Sequence, residues 1–284
     1  MKKNKKRNFI VLGIVIVLVA CIAIMLFQVK GEKKEVVETD QNSYRYIKVD
    51  GKDYRYRTNL KTILFLGIDT TDETKNQGQS DAIDLAIFDR DQQKIKIVSL
   101  SRDTMCKIRL FDSEGNDLGW DKQHLGLAYS YGKNRKHGGI LAKDAVSKLL
   151  SDVPLVNYTA FDLNSLQELQ DIIGDMPMVL DDDYIDINPL WKKGKKIVIN
   201  RDNVEEFVRS RNTSKDYSNR TRMQRQKLYI QTYINQLKTK LTNDYSITLQ
   251  KMYDFYSQLT TNVTLKEIDS YAEMILNYSI DNNE

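Results

Sequence analysis

Three hydrophobic periodicities run along the chain, and each predicts a different element. From Phe9 to Phe27, nineteen residues carry no charged or strongly polar side chain, which is long enough to cross a bilayer core as a helix. Alternation of apolar and polar positions predicts a hairpin over Tyr44 to Tyr56 around Asp50-Gly51,. Short strand-like apolar runs predict strands over Ile63 to Ile68, Ala82 to Phe88 and Ile95 to Leu100, with a short candidate over Tyr158 to Phe161,. A 3.6-residue period predicts helices over Gly139 to Leu150, Leu163 to Ile173 and Tyr245 to Leu259, and a last one opening at Thr264 with Glu267 as a capping box,. Between them, Asn200 or Asp202 is placed to cap a helix through Phe207 and Val208 whose end carries Arg209 and Arg211,. A long helix from Ser218 to Leu241 follows, with Leu228, Ile230, Tyr233, Ile234 and Leu237 as its apolar side. Strands mixed with helices and few prolines predict a layered α/β or α+β domain.

The flanks of the apolar run set the expected topology. Lys2, Lys3, Lys5, Lys6 and Arg7 precede it, and positive flanks stay on the cytoplasmic side,. The reading is a cytoplasmic tail over 1–8, a transmembrane anchor over 9–27, an extracellular linker over 28–43 and an extracellular domain over 44–284. A cleaved signal peptide is the alternative, and Leu18-Val19-Ala20-Cys21 resembles a lipoprotein cleavage box. Against the lipoprotein box, the apolar run continues for six residues beyond Cys21, where a lipid-anchored protein would turn polar at once,.

Charge then changes the picture. Without the five cations of the first seven residues the chain has 38 positive and 39 negative groups, so the globular part is close to neutral. From Lys192 to Lys227, however, twelve Lys or Arg face four Asp or Glu. Arg209, Arg211, Arg220, Arg222 and Arg225, with Gln226, fall within that stretch, and Arg222 and Gln226 share a helix face,. A planar guanidinium grips phosphate oxygens in pairs and stays charged at any relevant pH, which suits a pyrophosphate. The competing reading is a solvated basic face. Other chemistries are poorly supplied: Cys106 is the single cysteine outside the apolar run, and His124 and His137 fit no triad or metal pattern and read as polar surface or loop residues,. Two carboxylates remain, Asp69 closing one strand and Asp81 opening the next. Such a pair suits Mg²⁺, although Asp after a strand also serves as a turn residue or cap. Arg102, with Asp103 beside it, follows the third strand.

Six ordered motifs carry a resemblance: Leu64-Phe65-Leu66-Gly67-Ile68-Asp69, Ser80-Asp81, Val98-Ser99-Leu100-Ser101-Arg102-Asp103-Thr104, Ala128-Tyr129-Ser130-Tyr131-Gly132, Val208-Arg209-Ser210-Arg211 and Arg222-Met223-Gln224-Arg225-Gln226. Together they resemble the LytR-CpsA-Psr family, membrane-anchored enzymes of Gram-positive bacteria that attach glycopolymers to the cell wall. The resemblance implies a three-layer αβα domain with a central mixed sheet. It implies transfer of a sugar phosphate from a polyprenyl-pyrophosphate-linked glycopolymer to a hydroxyl of a peptidoglycan acceptor, with polyprenyl phosphate leaving and the lipid tail in an apolar tunnel. The family's magnesium aspartates match Asp69 and Asp81, and its pyrophosphate arginines match Arg102, Arg209, Arg211 and Arg222, with Gln226 beside them. Arg102, Asp103, Arg209 and Arg211 are the expected catalytic set, Asp103 either orienting an arginine, accepting the acceptor's proton, or forming a structural ion pair. Thr71 and Gln79 stand where many members have arginine, and Thr221 where they have glycine. The polymer is teichoic acid, capsule or another glycan. A pyrophosphohydrolase would use the same residues, and a non-catalytic envelope protein would keep the basic pocket. Nucleic acid is not an expected partner, since no matching motif is present.

Overall fold

The structure is a computed structural model that describes residues 46–70, 78–214 and 218–281. The apolar run Phe9 to Phe27, the linker and Thr71 lie outside the described residues. The chain divides into two units, one ending at Tyr56 and the other beginning at Arg57. In the first, β1 (Tyr46–Val49) and β2 (Lys52–Arg55) pair antiparallel. Asp50 and Gly51 join them at φ of 49° and 76°, the left-handed pair a tight two-residue hairpin turn requires.

The second unit is built on β3 (Leu60–Ile68), β4 (Ser80–Asp89) and β5 (Lys94–Ser99), followed by the hairpin β6 (Met105–Phe111) and β7 (Asp117–His124). A 3-10 segment (Leu125–Tyr131) leads to α1 (Arg135–Leu149), β8 (Asn157–Phe161), α2 (Leu163–Ile173) and a second small antiparallel pair, β9 (Met176–Val179) and β10 (Lys196–Ile199). The rest is α3 (Val204–Arg209), α4 (Ser218–Asn243), α5 (Tyr245–Tyr256), β11 (Thr260–Thr261), α6 (Leu265–Asn277) and β12 (Ser279–Ile280). Six strands form one mixed sheet in the order β11-β8-β3-β4-β5-β12, with β8/β3 and β5/β12 parallel and the other pairs antiparallel.

Alternation along the strands decides what covers each face. Ile63, Ala86 and Phe88 point to a core shared with Leu166 of α2, Phe207 of α3, Tyr229, Tyr233 and Leu237 of α4, Phe255 of α5 and Tyr271 of α6. Leu64, Leu66, Ile83 and Leu85 point the other way, to Cys106 and Ile108 of β6, Leu125 and Ala128, and Ala142, Ala145 and Val146 of α1. The chain is thus an α/β fold around a mixed central sheet, as expected.

Several elements depart from the periodicity. The β6–β7 hairpin was not expected because β7, Asp-Leu-Gly-Trp-Asp-Lys-Gln-His, is exposed along most of its length and carries no alternation. Helix α1 starts four residues before Gly139, because the Asn134 side chain accepts a hydrogen bond from His137 N at 2.9 Å and the first turn, being polar, gives no apolar signal,. Gly139 itself is required by packing: a Cβ there would lie 2.0 Å from the Tyr158 ring. For α3, neither Asn200 nor Asp202 is the cap. The helix starts after Asn203, whose side chain turns backwards, accepting from Asn200 N at 2.9 Å and donating to Val198 O at 2.9 Å. The capping box of Thr264 and Glu267 is present as expected.

Candidate active site

The site grows from an irregularity in the sheet. β3 and β4 pair residue for residue until Gly67↔Ala82 gives way to Ile68↔Ser80. Asp81 is therefore the extra residue of a β-bulge, the device by which strands re-aim a side chain at a site. Asp69, just past β3, is pinned across the same strand ends: its N–H donates to Gln79 O at 3.1 Å, and its Oδ1 accepts from Gln79 N at 2.7 Å. Gln79 thus contributes backbone to the site.

Asp81 is where the arginines converge. Arg102 Nη1 donates to its Oδ1, Arg222 Nη1 donates to its Oδ2 at 3.3 Å, and Arg222 Nη2 reaches its carbonyl at 3.4 Å. Arg102 is anchored by its own backbone, since its carbonyl accepts from Gly126 N at 2.9 Å. Its Nε lies 3.5 Å from Asp103 Oδ1. Asn219 closes the ring: it donates to Asp103 Oδ2 at 2.8 Å and accepts from Arg222 Nη2 at 2.8 Å.

Arg222 is only 4% exposed, and its Nε has no hydrogen-bond partner among the described residues. Burial above all, then the charges of Arg211 and Arg102, pull its pKa down to about 10 against the opposing pull of Asp103,. The group stays protonated at neutral pH, in a place short of negative charge.

The remaining arginines divide by role. Arg209 ends α3, pairs with Glu205 one turn earlier, and lines the same cavity as Asp69, Asp81, Arg222 and Gln226. Arg211 lies beyond the helix end rather than on it; it is exposed, with no ion-pair partner among the described residues. Arg225 is structural. It is 1% exposed, donates to Phe207 O and Ser210 O, and stacks over Tyr184 at 5.4 Å. Together with Gln226, which donates to Val208 O at 3.0 Å, it satisfies carbonyls that the C-terminus of α3 leaves open. Arg220 is exposed on the first turn of α4, as a solvated residue should be. His124 is exposed, with Nδ1 3.1 Å from Asp103 O; His137 is half-buried, its Nδ1 accepting from Lys133 N at 3.1 Å.

Behind the arginines a cavity of about 300 Å³ runs between the sheet and the helices. Phe65 and Phe88 line it from the sheet, Tyr229, Tyr233 and Leu237 from α4, and Phe255 from α5. Its mouth is ionic and its depth is apolar. Among the described residues no three His, Cys, Asp or Glu side chains converge as a metal site. Asp69 and Asp81 supply hard oxygens only, which fits Mg²⁺ completed by water and phosphate oxygens and excludes a soft metal.

A family profile decides the relationship: that of the LytR_cpsA_psr family matches residues 23–283. The chain belongs to the LytR-CpsA-Psr family. It is 30% identical over 179 residues to polyisoprenyl-teichoic acid–peptidoglycan teichoic acid transferase TagU of Enterococcus faecalis, covering 61% of this chain and 53% of that one. Over 201 residues it is 28% identical to an uncharacterized Staphylococcus aureus protein, covering 66% and 45%. The chain thus spans about half the length of these curated relatives. Among solved structures, protein gbs0355 from Streptococcus agalactiae aligns with a TM-score of 0.62 at 21% identity, covering 79% of this chain and 76% of that one. TagT bound to LIIa-WTA aligns with a TM-score of 0.59 at 21% identity, covering 78% and 77%. These structures share the fold of this chain.

Two residues of this LytR-CpsA-Psr site escaped the sequence reading. Asn219 was legible in principle, since it precedes Arg222 by one helical turn. Asp84 was hidden within the apolar strand pattern. It lines the cavity at 5% exposure, with Ser99 Oγ donating to its Oδ1 at 2.5 Å. Burial pushes its pKa up to about 6, the Ser99 hydrogen bond pulling the other way. A carboxyl raised in the folded state carries no penalty below its unfolded value near 4 and its full penalty above about 6,. Asp84→Asn is therefore expected to match wild type in stability at pH 4 and to exceed it at pH 7, on the order of 2 to 3 kcal/mol. Denaturant titrations at the two pH values check this; equal stability at pH 7 would show that Asp84 ionises freely.

Proposed function

We propose that this LytR-CpsA-Psr protein is a membrane-anchored phosphotransferase that moves a glycopolymer from a polyprenyl-pyrophosphate carrier to a peptidoglycan hydroxyl, releasing polyprenyl phosphate. The anchor is the run Phe9 to Phe27, with the N-terminus cytoplasmic and the catalytic domain outside. One observation carries the reading: a mouth of guanidinium groups opens directly into an apolar cavity, the complement of an amphiphile with an anionic head and a hydrocarbon tail. The name of the Enterococcus relative, a teichoic acid transferase, supports the polymer class.

The chemistry follows from charge. Phosphoryl transfer asks a protein chiefly to position the reactants and neutralise charge spreading over phosphate oxygens. Arg102 and Arg222 both aim at Asp81, so an incoming pyrophosphate finds two forks directed at one point, with Arg209 at the cavity wall and Arg211 adding charge. Mg²⁺ held by Asp69 and Asp81 would supply further neutralisation at the phosphates. Asp103, which contacts Arg102 and Asn219, would orient the arginine or take the acceptor's proton.

Both halves of the ligand should matter. A short-chain polyprenyl pyrophosphate is expected to bind at least tenfold more tightly than either inorganic pyrophosphate or the matching alcohol, read by calorimetry. Equal binding of pyrophosphate alone would disconnect the cavity from the site.

A further inference from the structure

Resting on the transfer reading, we propose that the groove beside the N-terminal turns of α4 is the acceptor subsite, taking a carboxylate-bearing glycan strand through Arg220 and Lys227. A second cavity, about 450 Å³, lies there, lined by Ser99, Ser101, Asn219, Arg220, Met223, Gln224 and Lys227. That volume is within the ordinary range for ligand sites. Carbon surface predominates in its lining, which suits the C–H faces of sugar rings, while the lining side chains other than Met223 end in hydroxyl, amide and cationic groups. Among the described residues neither Arg220 nor Lys227 has an ion-pair partner.

Placement gives the groove its meaning. At about 100° per helical residue, the stripe of α4 that carries Arg220, Met223 and Lys227 is turned roughly 120° from the stripe of Arg222, Gln226, Tyr229 and Tyr233 that faces the apolar cavity. The two spaces therefore flank one helix, and Asn219, which lines the groove, touches both Arg222 and Asp103. A displacement at phosphorus needs the nucleophile and leaving group roughly in line. With the lipid phosphate leaving toward the apolar cavity, the groove is the side from which a hydroxyl can approach. In that step the acceptor's hydroxyl oxygen bonds to the sugar-bearing phosphorus. The bond from that phosphorus to the bridging oxygen breaks, polyprenyl phosphate leaves with the electron pair, and the hydroxyl proton passes to the Asp103 carboxylate and on to water.

The full chain in detergent micelles, given a polyprenyl-pyrophosphate-linked sugar and uncrosslinked glycan strands, tests the groove. Arg220→Ala/Lys227→Ala is expected to raise the acceptor KM tenfold or more while donor KM stays within twofold, and to weaken fragment binding measured without donor. Methyl esterification of the strands' carboxylates should weaken their binding to wild type and leave the double variant's binding unchanged. An unaltered acceptor KM in the double variant, with wild type transferring normally, overturns the groove alone. Groove-dependent fragment binding without any transferred product from wild type would support the glycan site and overturn the transfer reading.

Discussion

Asp81→Asn is expected to lower turnover of a polyprenyl-pyrophosphate donor by about 100-fold or more and to lower the unfolding temperature, whereas Asp69→Asn should cost comparable activity with stability unchanged. The activity loss follows from removing a carboxylate that would hold Mg²⁺, since even the groups supporting metal ligands are worth roughly 10- to 100-fold. The difference in stability follows from partners. Asp81 holds Arg102 and the buried Arg222, and a buried guanidinium left without a counter-charge is costly. Asp69 is exposed, and among the described residues its Oδ1 accepts from Gln79 N, a bond an asparagine oxygen can still accept. Turnover across a magnesium titration, paired with thermal unfolding, checks both halves. Magnesium dependence unchanged in both variants would remove the metal assignment.

Arg222→Lys is expected to weaken binding of a short-chain polyprenyl pyrophosphate by about 10- to 100-fold, the worth of one charge-assisted hydrogen bond of roughly 1 to 3 kcal/mol. Lysine keeps the charge but offers one nitrogen where Arg222 uses two, toward Asp81 and Asn219,. Two comparisons isolate the effect. Arg201→Lys, at an exposed pair with Asp171, should bind as wild type does. Arg225→Lys should lose stability through the α3 carbonyls it satisfies. Calorimetry showing equal affinity for the Arg222 and Arg201 variants would mean that the cluster is a solvated basic face.

The elements that place the site were legible because they obey one rule each. The three central strands carry short apolar runs, and α4 carries a long helical stripe, so Asp69, Asp81, Arg102 and Arg222 could be set at element ends before their contacts were known. What stayed hidden depends on tertiary contacts. The bulge at Asp81 arises from a register shift between two strands that no single strand encodes. Arg225 and Arg222 are equally cationic and lie within one turn of each other, yet one caps α3 and the other faces the site, because a rotation of about 60° around α4 separates them. Asp84 reads as an exception in an apolar strand; only the cavity in front of it explains its raised pKa. Strand β7 lacks an apolar signal because it has little to bury.

The account stands on transfer, and product analysis tests that most directly. The full chain is incubated with polyprenyl-pyrophosphate-linked sugar, Mg²⁺ and uncrosslinked glycan strands, and the products are resolved by mass spectrometry. The predicted result is sugar joined to the strands through a phosphodiester, with polyprenyl phosphate released in equal amount. Free sugar phosphate accompanying the polyprenyl phosphate, with unmodified strands, would contradict it and make the protein a hydrolase.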